Sequence, residues 1–197
     1  RFAVSAITNP DANLGFLVDD RPSDGVFRVD RAVYTDPGVF EQEILHIFEG
    51  NWIYLAHESQ LPNTGDFFTT WMGRQSVIVN RLGGGGVGAL VNACAHRGAR
   101  VANTQRGNAT TFTCPYHGWC YDPKGRCTKR KDERAGWRSR PDPENVDLKI
   151  VPHVQSYRGF IFGCLNAEAP PLEEHLGDAR PFIDQLADQS REGMEVV

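Results

Sequence analysis

Apolar residues along this chain follow two spacings. Between Asp36 and Gly50 they recur at helical intervals: Phe40, Ile44, Ile47 and Phe48 fall at i, i+4, i+7 and i+8, one face of an amphipathic helix. Asp36-Pro37 supplies an N-cap acid and a proline at the first helical position, and Gly50 ends the run. From Gly65 to Leu165 the spacing becomes that of strands separated by turn residues. The strand candidates are Asp66–Met72, Ser76–Leu82, Val87–Asn92, Thr110–Thr113, Trp119–Tyr121 and Arg158–Leu165. Residues 1–30, with Pro10, Gly15, Pro22 and Gly25, read as an extended arm, and Gly25–Val33 alternates enough for a short strand. Beyond Cys164, Ala169-Pro170-Pro171 forms a linker. Leu172–Leu176 and Pro181–Gln189 then read as short helices, and Met194–Val197 as the opening of a strand. The pattern predicts a mainly β protein with flanking helices, an α+β chain.

Composition narrows the function classes. The chain has 197 residues, 40% hydrophobic and 23% charged, with a net charge of −4, which gives no reason to expect nucleic acid or an anionic membrane as partner. No apolar run approaches the length of a membrane span, and the opening R-F-A-V-S-A-I-T-N-P lacks the apolar core of a signal peptide. These features predict a cytoplasmic protein. Gly83–Gly86 lacks the order of a phosphate-binding loop and reads as a hairpin turn.

The chemistry concentrates between Cys94 and Trp119. C-A-H-R-G is followed, seventeen residues after His96, by C-P-Y-H-G-W. Cys94 with His96, and Cys114 with His117, place two thiols and two imidazoles on two loops, a four-ligand metal site. Two metals fit these residue types. Zinc accepts Cys₂His₂, although its usual spacing pairs Cys with Cys and His with His. A Rieske [2Fe–2S] centre takes one Cys and one His from each loop, the two histidines holding one of its irons. Gly98 and Gly118 follow the histidines closely, where a tight turn calls for positive φ or a close backbone approach. Three cysteines remain, Cys120, Cys127 and Cys164, an odd set that reads as free thiols in a reducing compartment.

C-x-H-R-G, seventeen residues, then C-P-Y-H-G-W resembles the Rieske motif of ring-hydroxylating dioxygenase large (α) subunits. Phe48–Pro62 (F-E-G-N-W-I-Y-L-A-H-E-S-Q-L-P) resembles the entry to that domain in the benzoate and anthranilate dioxygenase branch. The resemblance implies a Rieske-type antiparallel β-sandwich with two cluster-binding hairpin loops, and a first strand near Trp52–Ala56. It implies an N-terminal arm and helix over 1–50, a Rieske domain over 51–165, and over 166–197 a linker, short helices and the start of a catalytic domain. Cys94 and Cys114 would hold the inner iron of the [2Fe–2S] cluster, His96 and His117 the outer one. Respiratory Rieske proteins add a cysteine to each loop, and Ala99 and Tyr116 stand at those places here. The resemblance is therefore to the low-potential class, near the bottom of a range of roughly −150 to +300 mV.

The implied function is electron relay within an oxidoreductase. A reductase or ferredoxin, drawing on NADH, would feed the cluster. The cluster would feed a mononuclear Fe(II) that activates O₂ to dihydroxylate an aromatic acid, in an α3 or α3β3 assembly. No catalytic residue of that second iron is assigned in this chain: His153 and His175 stand twenty-two residues apart, and neither they nor His46 and His57 form a ligand set. The alternatives are a stand-alone Rieske ferredoxin and a zinc-stabilised interaction domain. Lys124–Arg140 holds eight Lys or Arg in seventeen residues, a solvated face or a docking patch for an acidic electron donor, and Arg97 and Arg100 flank the first loop.

Overall fold

A computed structural model describes residues 14–131 and 146–196. Its centre is an antiparallel sheet of β4 (Asp66–Met72), β5 (Gln75–Arg81), β6 (Val87–Val91) and β7 (Arg106–Asn108), in the order β6-β5-β4-β7. β5 explains the architecture. Val77, Ile78 and Val79 are all fully buried, so both faces of this strand are covered. Val77 and Val79 face a core shared with Leu55, Leu61, Met72 and Ile161. Ile78 faces the opposite core, with Phe67, Phe112, Trp119, Tyr121 and Leu148. A strand between two layers reads as an unbroken apolar run, and each such side chain contributes about 1.5–3 kcal/mol by leaving water.

The layer over Val77 and Val79 is a three-stranded antiparallel sheet of β3 (Ile53–His57), β11 (His153–Tyr157) and β12 (Phe160–Cys164), in the order β11-β12-β3. Glu58 ties it to the central sheet: it accepts from Ser156 Oγ and pairs with Arg81 at 3.3 Å, and these contacts hold its carboxyl below the usual range. The second small sheet, in the order β10-β9-β8, joins β8 (Phe112–Thr113), β9 (Cys120–Tyr121) and β10 (Cys127–Lys129). Every pairing is antiparallel, and the expected β-rich class is what the chain forms.

The strands expected between Gly65 and Leu165 appear with ends moved by up to two residues. β7, β10 and β11 are additions, the last paired to β12 through the Arg158-Gly159 turn. The arm contains a hairpin, β1 (Val18–Arg21) with β2 (Val26–Val29). The helix begins as expected, after a short helix α1 (Ala32–Thr35). Asp36 Oδ1 accepts from Gly38 N–H at 2.7 Å and Val39 N–H at 3.2 Å, opening α2 (Pro37–Glu43).

Its apolar face is a correction. Phe40, Ile47 and Phe48 are 52%, 50% and 42% exposed, while Val39, Gln42 and Ile44 are buried. After Glu43 the chain widens into a π-turn over Ile44–Phe48, with Glu49 N–H donating to Ile44 C=O, and the 3.6-residue period on which the stripe rests no longer holds. α3 (Leu172–Leu176) and α4 (Arg180–Ala187) match the two short helices, but Met194–Val196 forms no strand and Val196 N–H donates to Ser59 Oγ.

Candidate metal centre

The central sheet delivers the first loop and the small sheet frames the second. β6 ends at Val91, and Asn92 turns the chain out of the sheet. Its buried amide is fully used: Oδ1 accepts from Val101 N–H at 2.9 Å and Ala102 N–H at 3.0 Å, while Nδ2 donates to Ala102 C=O at 2.8 Å and Ser76 Oγ at 3.3 Å. Asn92 thus closes the base of the loop that carries Cys94 and His96. The second loop leaves β8 at Thr113 and returns in β9 at Cys120.

The two loops share one plan. Cys94 N–H donates to Ala99 C=O at 2.8 Å and Gly98 N–H donates back to Cys94 C=O at 2.7 Å. Cys114 N–H donates to Trp119 C=O at 2.7 Å and Gly118 N–H to Cys114 C=O at 2.9 Å. Each cysteine is therefore held by the residues four and five positions on. Gly98 and Gly118 adopt φ of +71° and +69°, the left-handed region where a side chain is strained.

The four candidate ligands come together as two pairs. Cys94 and Cys114 are buried, free and within reach of one another. His96 and His117 are half-buried at the rim, their ring centroids 4.6 Å apart. Trp119 lies parallel to His96 at 5.1 Å, and Tyr116 tilts over His117 at 3.9 Å. Among the described residues no three His, Cys, Asp or Glu side chains gather as ligands of a single ion. Thiols inside and imidazoles outside suit a centre with two metal ions, each taking one pair.

Burial pushes the Cys94 thiol above its ordinary value, and hydrogen bonds from Tyr121 and the His96 amide pull the other way. Burial also pushes His96 down, helped by His117 and Arg97. Tyr121, with no exposed surface, is pushed far up by burial and by Cys94 beside it. Its hydroxyl lies 3.0 Å from Cys94 Sγ and 3.2 Å from Ala95 N.

A model of the Rieske [2Fe-2S] domain matches residues 51–157. The chain belongs to this family. It is 48% identical over 183 residues to toluate 1,2-dioxygenase subunit alpha of Pseudomonas putida, an alignment covering 92% of this chain and 40% of that one. It is 46% identical over 177 residues to the anthranilate 1,2-dioxygenase large subunit of Acinetobacter baylyi, covering 89% and 37%. Among solved structures, naphthalene 1,2-dioxygenase from Rhodococcus sp. bound to indole superposes with a TM-score of 0.79 at 36% identity, covering 86% of this chain and 38% of that one. The chain spans about 40% of the length of the curated relatives it matches.

The other polar residues that drew attention fall elsewhere. Cys120 and Cys127 sit on adjacent strands, but Cys127 faces Tyr121 and Lys129 faces Cys120, and both thiols are free. Cys164 is buried beside Trp52 and Leu172. His57 is buried and engaged with Ser59, His153 Nε2 is 2.8 Å from Ala167 C=O, and His46 and His175 are exposed. Arg97 and Arg100 are exposed around the first loop. Lys131 lies beside Gly118 on the second, and Arg134, Arg138 and Arg140 fall outside the described residues. Among the described residues no helix is long and apolar enough to cross a membrane.

Sequence reasoning missed Asn92 and Tyr121. Each leaves a faint signal. Asn92 is a polar residue closing an apolar strand two places before a ligand, and Tyr121 repeats the inward side of Trp119 at strand period.

Proposed function

We propose that Cys94, His96, Cys114 and His117 hold a [2Fe–2S] cluster, and that this chain is the electron-relay part of an aromatic-carboxylate ring-hydroxylating dioxygenase α subunit. The observation that carries the reading is the sorting of the four side chains: a buried thiol pair and a rim imidazole pair, from two loops of the same plan. When bound, the cluster supplies one-electron storage. Cys94 and Cys114 share a core with Trp119, Tyr121 and Phe112, which would keep water from the sulfurs, while the two imidazoles stand nearer the surface. Residues 51–165 form the Rieske unit in this reading, 1–50 an arm and helix, and 166–197 a linker with short helices leading toward a catalytic domain.

In this reading a reductase or ferredoxin supplies electrons that originate in NADH, and a mononuclear Fe(II), held by residues outside this set, activates O₂ on an aromatic acid. The toluate, 2-halobenzoate and anthranilate dioxygenase names of the relatives support a carboxylated ring as substrate. A quaternary ammonium Rieske monooxygenase of similar fold, TM-score 0.71 at 28% identity, is described with inter-subunit electron transfer. That supports an oligomer, which we place as α3 or α3β3. The exposed apolar side chains Phe16, Phe27, Phe40, Ile47 and Phe48 favour such packing, since a bare two-stranded hairpin has little stability in water. Three thiols left outside the cluster, Cys120, Cys127 and Cys164, none of them in a disulfide, fit the cytoplasm.

Metal and sulfide analysis tests the site. Protein produced with iron and sulfide should hold two of each per chain and absorb in the visible, and Cys114→Ala should lose both. A colourless protein holding one zinc per chain would overturn the assignment.

A further inference from the structure

We propose that Arg158 is a positioning residue, its left-handed backbone kept so that its guanidinium reaches Asp184 and Asp188 and holds α4 against the sheet. β11 and β12 pair Tyr157 with Phe160, which leaves Arg158 and Gly159 as a two-residue hairpin turn. Their φ angles are +54° and +89°, a geometry that favours Asn-Gly. Among the described residues, Arg158 is the only one other than glycine with positive φ. An arginine is strained there, and an asparagine makes the same turn with less strain. The turn alone does not ask for this side chain.

α4 supplies the reason. Arg158 Nε lies 3.4 Å from Asp184 Oδ1, and its Nη2 donates to Asp188 Oδ1. The residue before it joins in: the Tyr157 hydroxyl donates to the Asp184 carboxylate, 3.1 Å and 3.2 Å from its two oxygens. Asp184 and Asp188 are four residues apart, on one face of the helix, and that face meets the turn. They also stand at its C-terminal end, where negative charge opposes the helix dipole and a cation is stabilising. The last turn of α4 has no basic residue of its own. Arg158 supplies that cation from another element.

Apolar packing contributes little here. No residue of α4 is fully buried, and Phe182 and Leu186 are 73% and 44% exposed. Eight residues are too few for a stable isolated helix in water. The latch therefore decides both whether α4 forms and where it lies. In the reading above, α4 belongs to the segment leading toward the catalytic domain. On that reading, Arg158 sets the direction in which this segment leaves the Rieske unit.

The experiment is hydrogen exchange with mass spectrometry on the full chain, comparing α4 with β11 and β12, beside urea unfolding. Arg158→Asn keeps the turn and removes the cation. It should speed α4 exchange roughly threefold to tenfold, with exchange in the two strands and the urea midpoint unchanged or improved. Unchanged α4 exchange overturns the inference. Exchange that rises equally in α4 and both strands overturns it too, because Arg158 would then serve the sheet. If the Asn variant fails to fold, raising salt on the unsubstituted protein decides the matter. Exchange in α4 should then rise ahead of the strands, and an equal response overturns the inference. The readout needs no cluster, so a chain without iron would overturn the assignment above and leave this latch standing.

Discussion

Two buried side chains, Asn92 and Tyr121, do work that their neighbours cannot share. Asn92 satisfies two backbone amides and a carbonyl at the base of the first ligand loop, all of them buried. Leaving a buried polar group unpaired costs about 1–3 kcal/mol, so Asn92→Leu should destabilise the fold by roughly 2–4 kcal/mol. Urea unfolding should show a lower midpoint at unchanged slope. A midpoint equal to that of the unsubstituted protein would show that water or loop movement replaces the amide. The four ligand candidates were legible from residue type and spacing alone, because metal chemistry restricts both. Asn92 and Tyr121 were not, because a hydrogen bond between distant segments leaves no periodic trace.

At the scale of elements, β5 and the helix after Asp36 show where pattern reading succeeds and where it fails. Val77-Ile78-Val79 reads as a strand whatever covers it, and the structure adds only that both faces are covered. The Asp36 cap is local chemistry and forms as read. The stripe Phe40, Ile44, Ile47, Phe48 presumes an unbroken α-helix, and the π-turn at Ile44–Phe48 shifts the register of its second half. In the ligand-bearing sheet β8 and β9 fall inside the strands the sequence offered, while the three-residue β10 is below the length at which alternation can be seen. The basic run belongs to this scale too. Lys129, Arg130 and Lys131 leave β10 and bring Lys131 beside Gly118 on the second ligand loop. Reversing all three to Glu should slow reduction by an electron donor several-fold at low ionic strength, with the difference shrinking as salt rises. Stopped-flow reduction at two salt concentrations checks this, and equal rates at low salt would exclude the patch from docking.

At the scale of the whole molecule, the central sheet packs one face against the β11-β12-β3 sheet in a core that anchors the fold, and its other face against a core that buries two thiols, with two imidazoles at the rim. Fold class was legible in the sequence because strand spacing dominates from Gly65 to Leu165. The layering was not, because it depends on which sheet covers each face of β5. The account stands on one claim, that Cys94 and Cys114 hold one iron while His96 and His117 hold another. Pulsed electron paramagnetic resonance on the reduced protein, with histidine labelled by ¹⁵N, tests that claim most directly. The account predicts coupling to two imidazole nitrogens, reduced to one nitrogen or lost with the cluster in His96→Ala and in His117→Ala. A reduced cluster with no histidine nitrogen coupling, or a protein with no paramagnetic reduced state, would contradict it.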